Sequence, residues 1–200
     1  HGDGAVWSWG YGGLGGLGHG DEQDQLLPKK VEALAERRVV AISAANHSLA
    51  LTADGAVWSW GDGAAGMLGH GDEQNQLLPK KIEAFAGRRV VAVSAGVYHS
   101  LAITADGAVW SWGDGAAGML GHGDEQIQLL PKKVEAFAGR CVVAVSAGEY
   151  HSLAITADGS AWSWGDGYPG KLGHGDEQIQ LLPKKVEAFA GRCVVAVSAG

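Results

Sequence analysis

The chain has 200 residues, 46% of them hydrophobic and 33 of them glycine, with a formal charge of −7. That charge disfavours the broad basic surface that nucleic-acid binding needs. No run approaches the ~18 consecutive apolar residues of a membrane-spanning helix, and no signal peptide is visible at the start.

The elements can be predicted in chain order. After His1–Gly2, which stands where other repeats have a pair such as Thr52–Ala53, the stretch "DGAVWSWG" opens at Asp3. An Asp-Gly turn there leads into a strand over Ala5 to Trp9. A glycine-rich loop follows, then a strand over Lys29 to Leu34. The same words then return. Trp7, Trp58, Trp110 and Trp162 are spaced by 51, 52 and 52 residues, with a one-residue slip at "SAANHSLA" (Ser43 to Ala50). Each of the spans Val39 to Phe85, Val90 to Phe137 and Val142 to Phe189 holds four predicted strands. In the last of these they are a β-branched "VVAVSAG", an alternating "HSLAIT", a "WSW" strand after the Asp-Gly turn, and a final strand after the glycine loop. In the middle span that final strand is placed over Lys132 to Phe137, beside a proline that suits a sheet edge; a short helix over "KKVEAFAG" is the alternative. Val194 to Ala199 is a last strand, standing alone.

Four strands in a period of about 52 residues predict an all-β chain, a β-propeller of four-stranded blades. About four repeats are present, with an incomplete terminal blade, in one array over residues 1–200. Trp110 and Trp112 share a face with Ala108, while Leu101 and Ile103 oppose Ser100, Ala102 and Thr104. Each sheet is therefore expected to have a bulky face and a small face, the bulky one filling the small one of the next blade.

"AGEYHSLAITADGSAWSWGDGYPGKLGHG" (Ala147 to Gly175) resembles the repeat of the regulator of chromosome condensation family. The shared elements are G-x-x-H-S, D-G-x-x-x-x-W-G, a glycine loop ending in L-G-x-G, and a proline before the last strand. The resemblance covers essentially the whole chain. It implies a propeller, usually of seven blades, with the "VVAVSAG" strand innermost. The chain departs from it in extent, because a blade joining its two ends would lack the "HSLAITA" strand. The ring would then stay open, or the edge would come from another chain or from residues outside this stretch. Unpaired edges template pairing, so self-association through the terminal blades is expected, most simply as a two-chain ring.

Candidate chemistry is sparse. His19, His70, His122 and His174 recur in "LGHG", and His47, His99 and His151 in "HSLA"; neither set has a second ligand at a metal-binding spacing. Structural hydrogen bonding is their expected role. The repeated Asp-Glu pairs lack the asymmetry that acid–base catalysis requires, no calcium loop is formed, and the glycine loop is no phosphate cradle. An enzyme is not expected, nor is a cofactor. Cys141 and Cys193 hold equivalent positions one period apart, too distant for a disulfide. Their scarcity points to an intracellular chain, cytoplasmic or nuclear.

Two branches of the family imply regulatory roles. One exchanges nucleotide on a small GTPase, and the uniform repeat lengths leave no inserted wedge for that task. The other senses ultraviolet light through tryptophans and carries G-W-R-H-T where this chain has "GVYHS" and "GEYHS". Val97 and Glu149 then stand in its tryptophan position, and Tyr98 and Tyr150 in its arginine position. All eight tryptophans here belong to "WSW", where core packing accounts for them. The expected function is thus a non-enzymatic protein-interaction propeller or scaffold. Differences between repeats mark its candidate contacts: Tyr98, Glu149 and Tyr150 in equivalent turns of two repeats, Met67, Met119 and Lys171 at one loop position, Ile127 and Ile179 at another, and Tyr168.

Overall fold

In the computed structural model, which describes residues 4–200, three four-stranded antiparallel sheets follow a two-stranded one. The first sheet pairs β1 (Trp7–Gly10) with β2 (Gln25–Lys30). The first full blade holds β3 (Val39–Ala44), β4 (His47–Thr52), β5 (Val57–Gly61) and β6 (Gln76–Lys81). The second holds β7 (Val90–Ala95), β8 (His99–Thr104), β9 (Val109–Gly113) and β10 (Gln128–Lys133). The third holds β11 (Val142–Ala147), β12 (His151–Thr156), β13 (Ala161–Gly165) and β14 (Gln180–Lys185). Strands pair in chain order within each blade, and β3, β7 and β11 pack side by side as the innermost strands. The fold is that of β-propeller blades. Asp3 and the two residues before it lie outside the described residues, so the first Asp-Gly turn is not described.

The Asp-Gly turns close the hairpins as their sequence requires. Asp106 Oδ1 accepts from Thr104 Oγ1 at 2.6 Å and from the Ala108 N–H at 3.3 Å. Gly107 takes φ of 80°, a conformation that costs glycine nothing.

The fourth strand differs from expectation. It runs over Gln128–Lys133, upstream of Lys132 to Phe137, and the remainder forms a 3-10 turn over Glu135–Phe137. The short-helix alternative was nearer for that segment. Two causes are visible. Register shifts between Gln128 and Lys132, so Pro131, which has no N–H, sits where the outermost strand is irregular. The turn then folds Phe137 back between blades, where its ring meets Trp162 and Trp164 edge-on at 5.6 and 5.7 Å. Val194 to Ala199 is likewise no ladder strand. It lies along the third blade, held by the Ala199 N–H to Ser146 Oγ at 2.9 Å and the Val194 N–H to the Gly159 carbonyl at 3.0 Å. No strand beside it among the described residues can complete a ladder.

The faces also divide differently. Trp110 pairs across with Ala102 and Trp112 with Ser100, while Leu101 faces Ser111 and Ile103 faces Val109. Each face is therefore mixed: tryptophan beside small residues on one side, branched aliphatics on the other. Leu101, Ile103, Val109 and Phe137 of one blade close over Ala154 and Trp164 of the next. The preceding interface repeats this with Leu49, Leu51, Val57 and Phe85 over Ala102 and Trp112.

Candidate interaction face

Antiparallel pairing sends alternate connections to opposite ends of each blade. One end carries the turns after β3, β7 and β11, such as Gly96 to Tyr98, together with the glycine loops after β1, β5, β9 and β13. The other carries the Asp-Gly turns and the 3-10 turns with their arginines. The candidate contacts named from repeat differences all fall on elements of the first, the loop end.

Their roles separate there. Tyr98 and Tyr150 come from neighbouring blades and pair their rings at 5.1 Å with a 30° tilt. The hydrogen bond that the Tyr150 hydroxyl donates to Tyr98, with some desolvation, pushes the Tyr150 phenol up to about 12. Glu149 beside them is exposed. Ile127, Ile179 and Tyr168 are exposed large side chains. Lys171 is held by Asp166 at 2.6 Å.

Met67 and Met119 are a correction. They are 1% and 0% exposed and present no contact surface. Each loop tucks its methionine against the next blade, where the Met67 carbonyl accepts from both Ser100 Oγ and Trp112 Nε1 at 2.9 Å.

The isoleucines carry a further signal. At the same loop position Asp24 and Asn75 accept the N–H of Gly12 and Gly63, each at 2.9 Å, and so pin their loops. Isoleucine cannot accept a hydrogen bond. In the second and third blades that pin is replaced by an exposed apolar side chain.

The histidines are absorbed by the scaffold. In the loops, His70 and His122 reach Ser59 and Ser111 Oγ at 2.9 Å, and these hydroxyls donate to the Leu68 and Leu120 carbonyls at 2.7 Å. In the strands, His47 Nε2 meets Ser100 Oγ at 2.6 Å and His99 Nε2 meets Ser152 Oγ at 2.7 Å, both across a blade boundary. Because each of these serines donates to a methionine carbonyl, the imidazole must donate through Nε2–H, which leaves Nδ1 an acceptor. Burial holds His47 down to about 4 and His99 to about 3. Among the described residues no group of three or more His, Cys, Asp or Glu is placed to hold a metal ion, and no helix is long and apolar enough to cross a membrane. Cys141 and Cys193 are free and exposed.

Sequence reasoning missed the tyrosine pair, because its partners lie one period apart on different blades, and the two carbonyls, because backbone leaves no mark in a sequence. At the opposite end, Arg37, Arg88 and Arg140 lie over the rings of Trp58, Trp110 and Trp162, each at 5.0 Å.

Comparison with known proteins agrees with this geometry. The chain is 41% identical over 200 residues to human E3 ubiquitin-protein ligase HERC2, covering 98% of this chain and 4% of that protein. It is 39% identical over 196 residues to the ultraviolet-B receptor UVR8 of Arabidopsis thaliana, covering 98% of this chain and 44% of the receptor. Yeast RCC1 (Prp20), solved bound to Kap60, superposes with a TM-score of 0.81 at 28% identity, covering 94% of this chain and 46% of that one. The chain thus spans less than half the length of each. The family profile of the RCC1-like domain matches residues 1–200, and with blades, repeat and relatives in agreement the chain belongs to the RCC1-like family of β-propellers.

Proposed function

We propose that this chain is a non-enzymatic interaction propeller, one array over residues 1–200, that presents its loop end to a protein partner. One observation carries the reading. The histidines and serines that repeat unchanged are spent on bonds within and between blades, while the large exposed side chains Ile127, Ile179 and Tyr168, at positions that vary between repeats, stand at the loop end. A relative solved in complex with another protein fits this, as an intracellular setting fits two free exposed thiols. The test is cross-linked partner capture by the wild-type chain, a loop-end variant (Ile127→Ser with Ile179→Ser) and an opposite-end variant (Arg88→Ala). Loss confined to the loop-end variant supports the reading; equal capture by all three overturns it.

The outer faces of the array suggest self-association as a further part of this reading. Trp7 and Trp9 at one side and Phe189 at the other are exposed, and the interior interfaces show what covers such faces: another blade of the same repeat.

Ultraviolet reception is the second reading, favoured by the arginines stacked over Trp58, Trp110 and Trp162 and by the UVR8 relative. It requires illumination to change the oligomeric state; an unchanged light-scattering mass under ultraviolet light removes it. Nucleotide exchange is tested by release of a fluorescent nucleotide from a small GTPase, and our reading expects no acceleration.

A further inference from the structure

The total charge of −7 conceals a strong partition. Of the 22 acidic residues, 13 lie on the turns and loops of the loop end; of the 15 basic residues, only Lys171 does. Lys171 is already paired with Asp166, the one ion pair at this end among the described residues. The other basic residues sit on the outer strands and toward the opposite end. Asp72, Asp124 and Asp176 are half-buried and each uses one oxygen to accept an N–H two residues on, at 3.0 to 3.1 Å, while Glu73, Glu125 and Glu177 beside them are exposed.

A second, independent observation concerns hydrogen-bond donors. Nδ1 of His99 and of His151 is buried and has no partner. In His99 this atom is an acceptor by the argument above. The rings sit directly below the turns that carry the tyrosines: a Cβ built on Gly148 would lie 2.9 Å from His151 Nδ1, and one built on Gly96 would lie 3.0 Å from His99 Cε1. The carboxylates offer acceptors to solvent, and Lys171 is the one lysine or arginine on these loops. Over this end lies the Tyr98–Tyr150 pair, whose ring faces attract cations. Aromatic rings at the centre of such a surface also serve as anchors.

We propose that the loop end is a docking face for a basic protein segment, rich in lysine and arginine, centred on the Tyr98–Tyr150 pair. This deepens the interaction reading above and rests on it. Such a segment brings the positive charge that this end lacks, and the field of the loops speeds and orients its approach. The same field repels nucleic acid and anionic lipid.

The experiment is fluorescence anisotropy with a labelled peptide of alternating Lys, Arg, Gly and Ser, and with its counterpart carrying Glu at every basic position. Two variants change the net charge identically at opposite ends: Glu149→Lys on the loop end, and Glu135→Lys on the 3-10 turn of the second blade, both exposed positions. The basic peptide is expected to bind and the acidic one not. Glu149→Lys should weaken binding about fivefold or more and Glu135→Lys less than about twofold, while the Tyr98→Ala, Tyr150→Ala double variant should weaken it about tenfold. Raised salt should weaken binding to the wild type, as charge steering requires. Equal effects of the two glutamate changes would show attraction to net charge alone and overturn the proposal, as would equal binding of both peptides or no binding of the basic one. If the basic peptide fails while Ile127→Ser with Ile179→Ser still abolishes partner capture, the interaction reading stands and the basic partner alone falls. If both fail, both fall.

Discussion

Ser152 joins groups from two blades. It accepts from His99 Nε2 and donates to the Met119 carbonyl at 2.9 Å, which in turn accepts from Trp164 Nε1 at 2.8 Å. Ser152→Ala leaves His99 with neither nitrogen paired, and should cost about 1–3 kcal/mol in urea unfolding. Ser160→Ala, which copies the Ala108 of the preceding repeat, should cost almost nothing. Equal losses would show that the staple is not what holds the interface. These histidines also set an acid limit. They are neutral when buried but bind a proton near pH 6.5 once unfolded, so the unfolded state holds more protons between their two values. Their stabilisation is complete above about pH 6.5 and is lost as pH falls toward 4 for His47 and toward 3 for His99, by about 1.4 kcal/mol per unit for each. A melting temperature that stays flat between pH 7 and about 4.5 would contradict this. The sequence showed the histidines and their structural role, yet not their partners, because a hydroxyl 53 positions away is adjacent only once the blades stack.

At the scale of the element, one residue in three copies separates local pattern from packing. Phe137 is 3% exposed and Phe189 43%, although both end the same "EAF" turn. Phe137→Ala opens a cavity between blades and should destabilise by about 3–5 kcal/mol; Phe189→Ala should cost under about 1 kcal/mol in a monomer. Chemical denaturation of the two variants measures the contrast. A large loss for Phe189→Ala would itself reveal that a second copy covers that face in solution. The fourth strand shows the limit of reading this element from sequence. In "QLLPKKVEAF" apolar residues occur at both ends, and what the sequence does not record is that the pair Leu129 and Leu130 lies in the strand on which the glycine loop of the neighbouring blade docks, Gly71 N–H to the Leu129 carbonyl at 2.9 Å. Without that contact the later residues looked equally extended.

For the molecule as a whole, the exposed faces and the charge partition make separate predictions. If Trp7, Trp9 and Phe189 meet in solution, light scattering at micromolar concentration gives a mass above that of a 20.6 kDa monomer, and Trp9→Ser lowers it. A clean monomer would mean that three stacked blades suffice. No turnover is expected with magnesium and any nucleotide; hydrolysis lost on a single substitution would overturn the non-enzymatic reading.

The sequence by itself determined the period, the number of strands in each blade, the hairpin turns and the family. Those rest on local chemistry, Asp-Gly at the turns and alternation along the strands, written out in every copy. Tertiary structure decided what each copy's residues meet. It buried Met67 and Met119, paired Tyr98 with Tyr150, and sorted the carboxylates from most of the cations. These outcomes depend on which end of a blade a loop leaves from and on what the next blade presents, and neither is a property of any one stretch of chain.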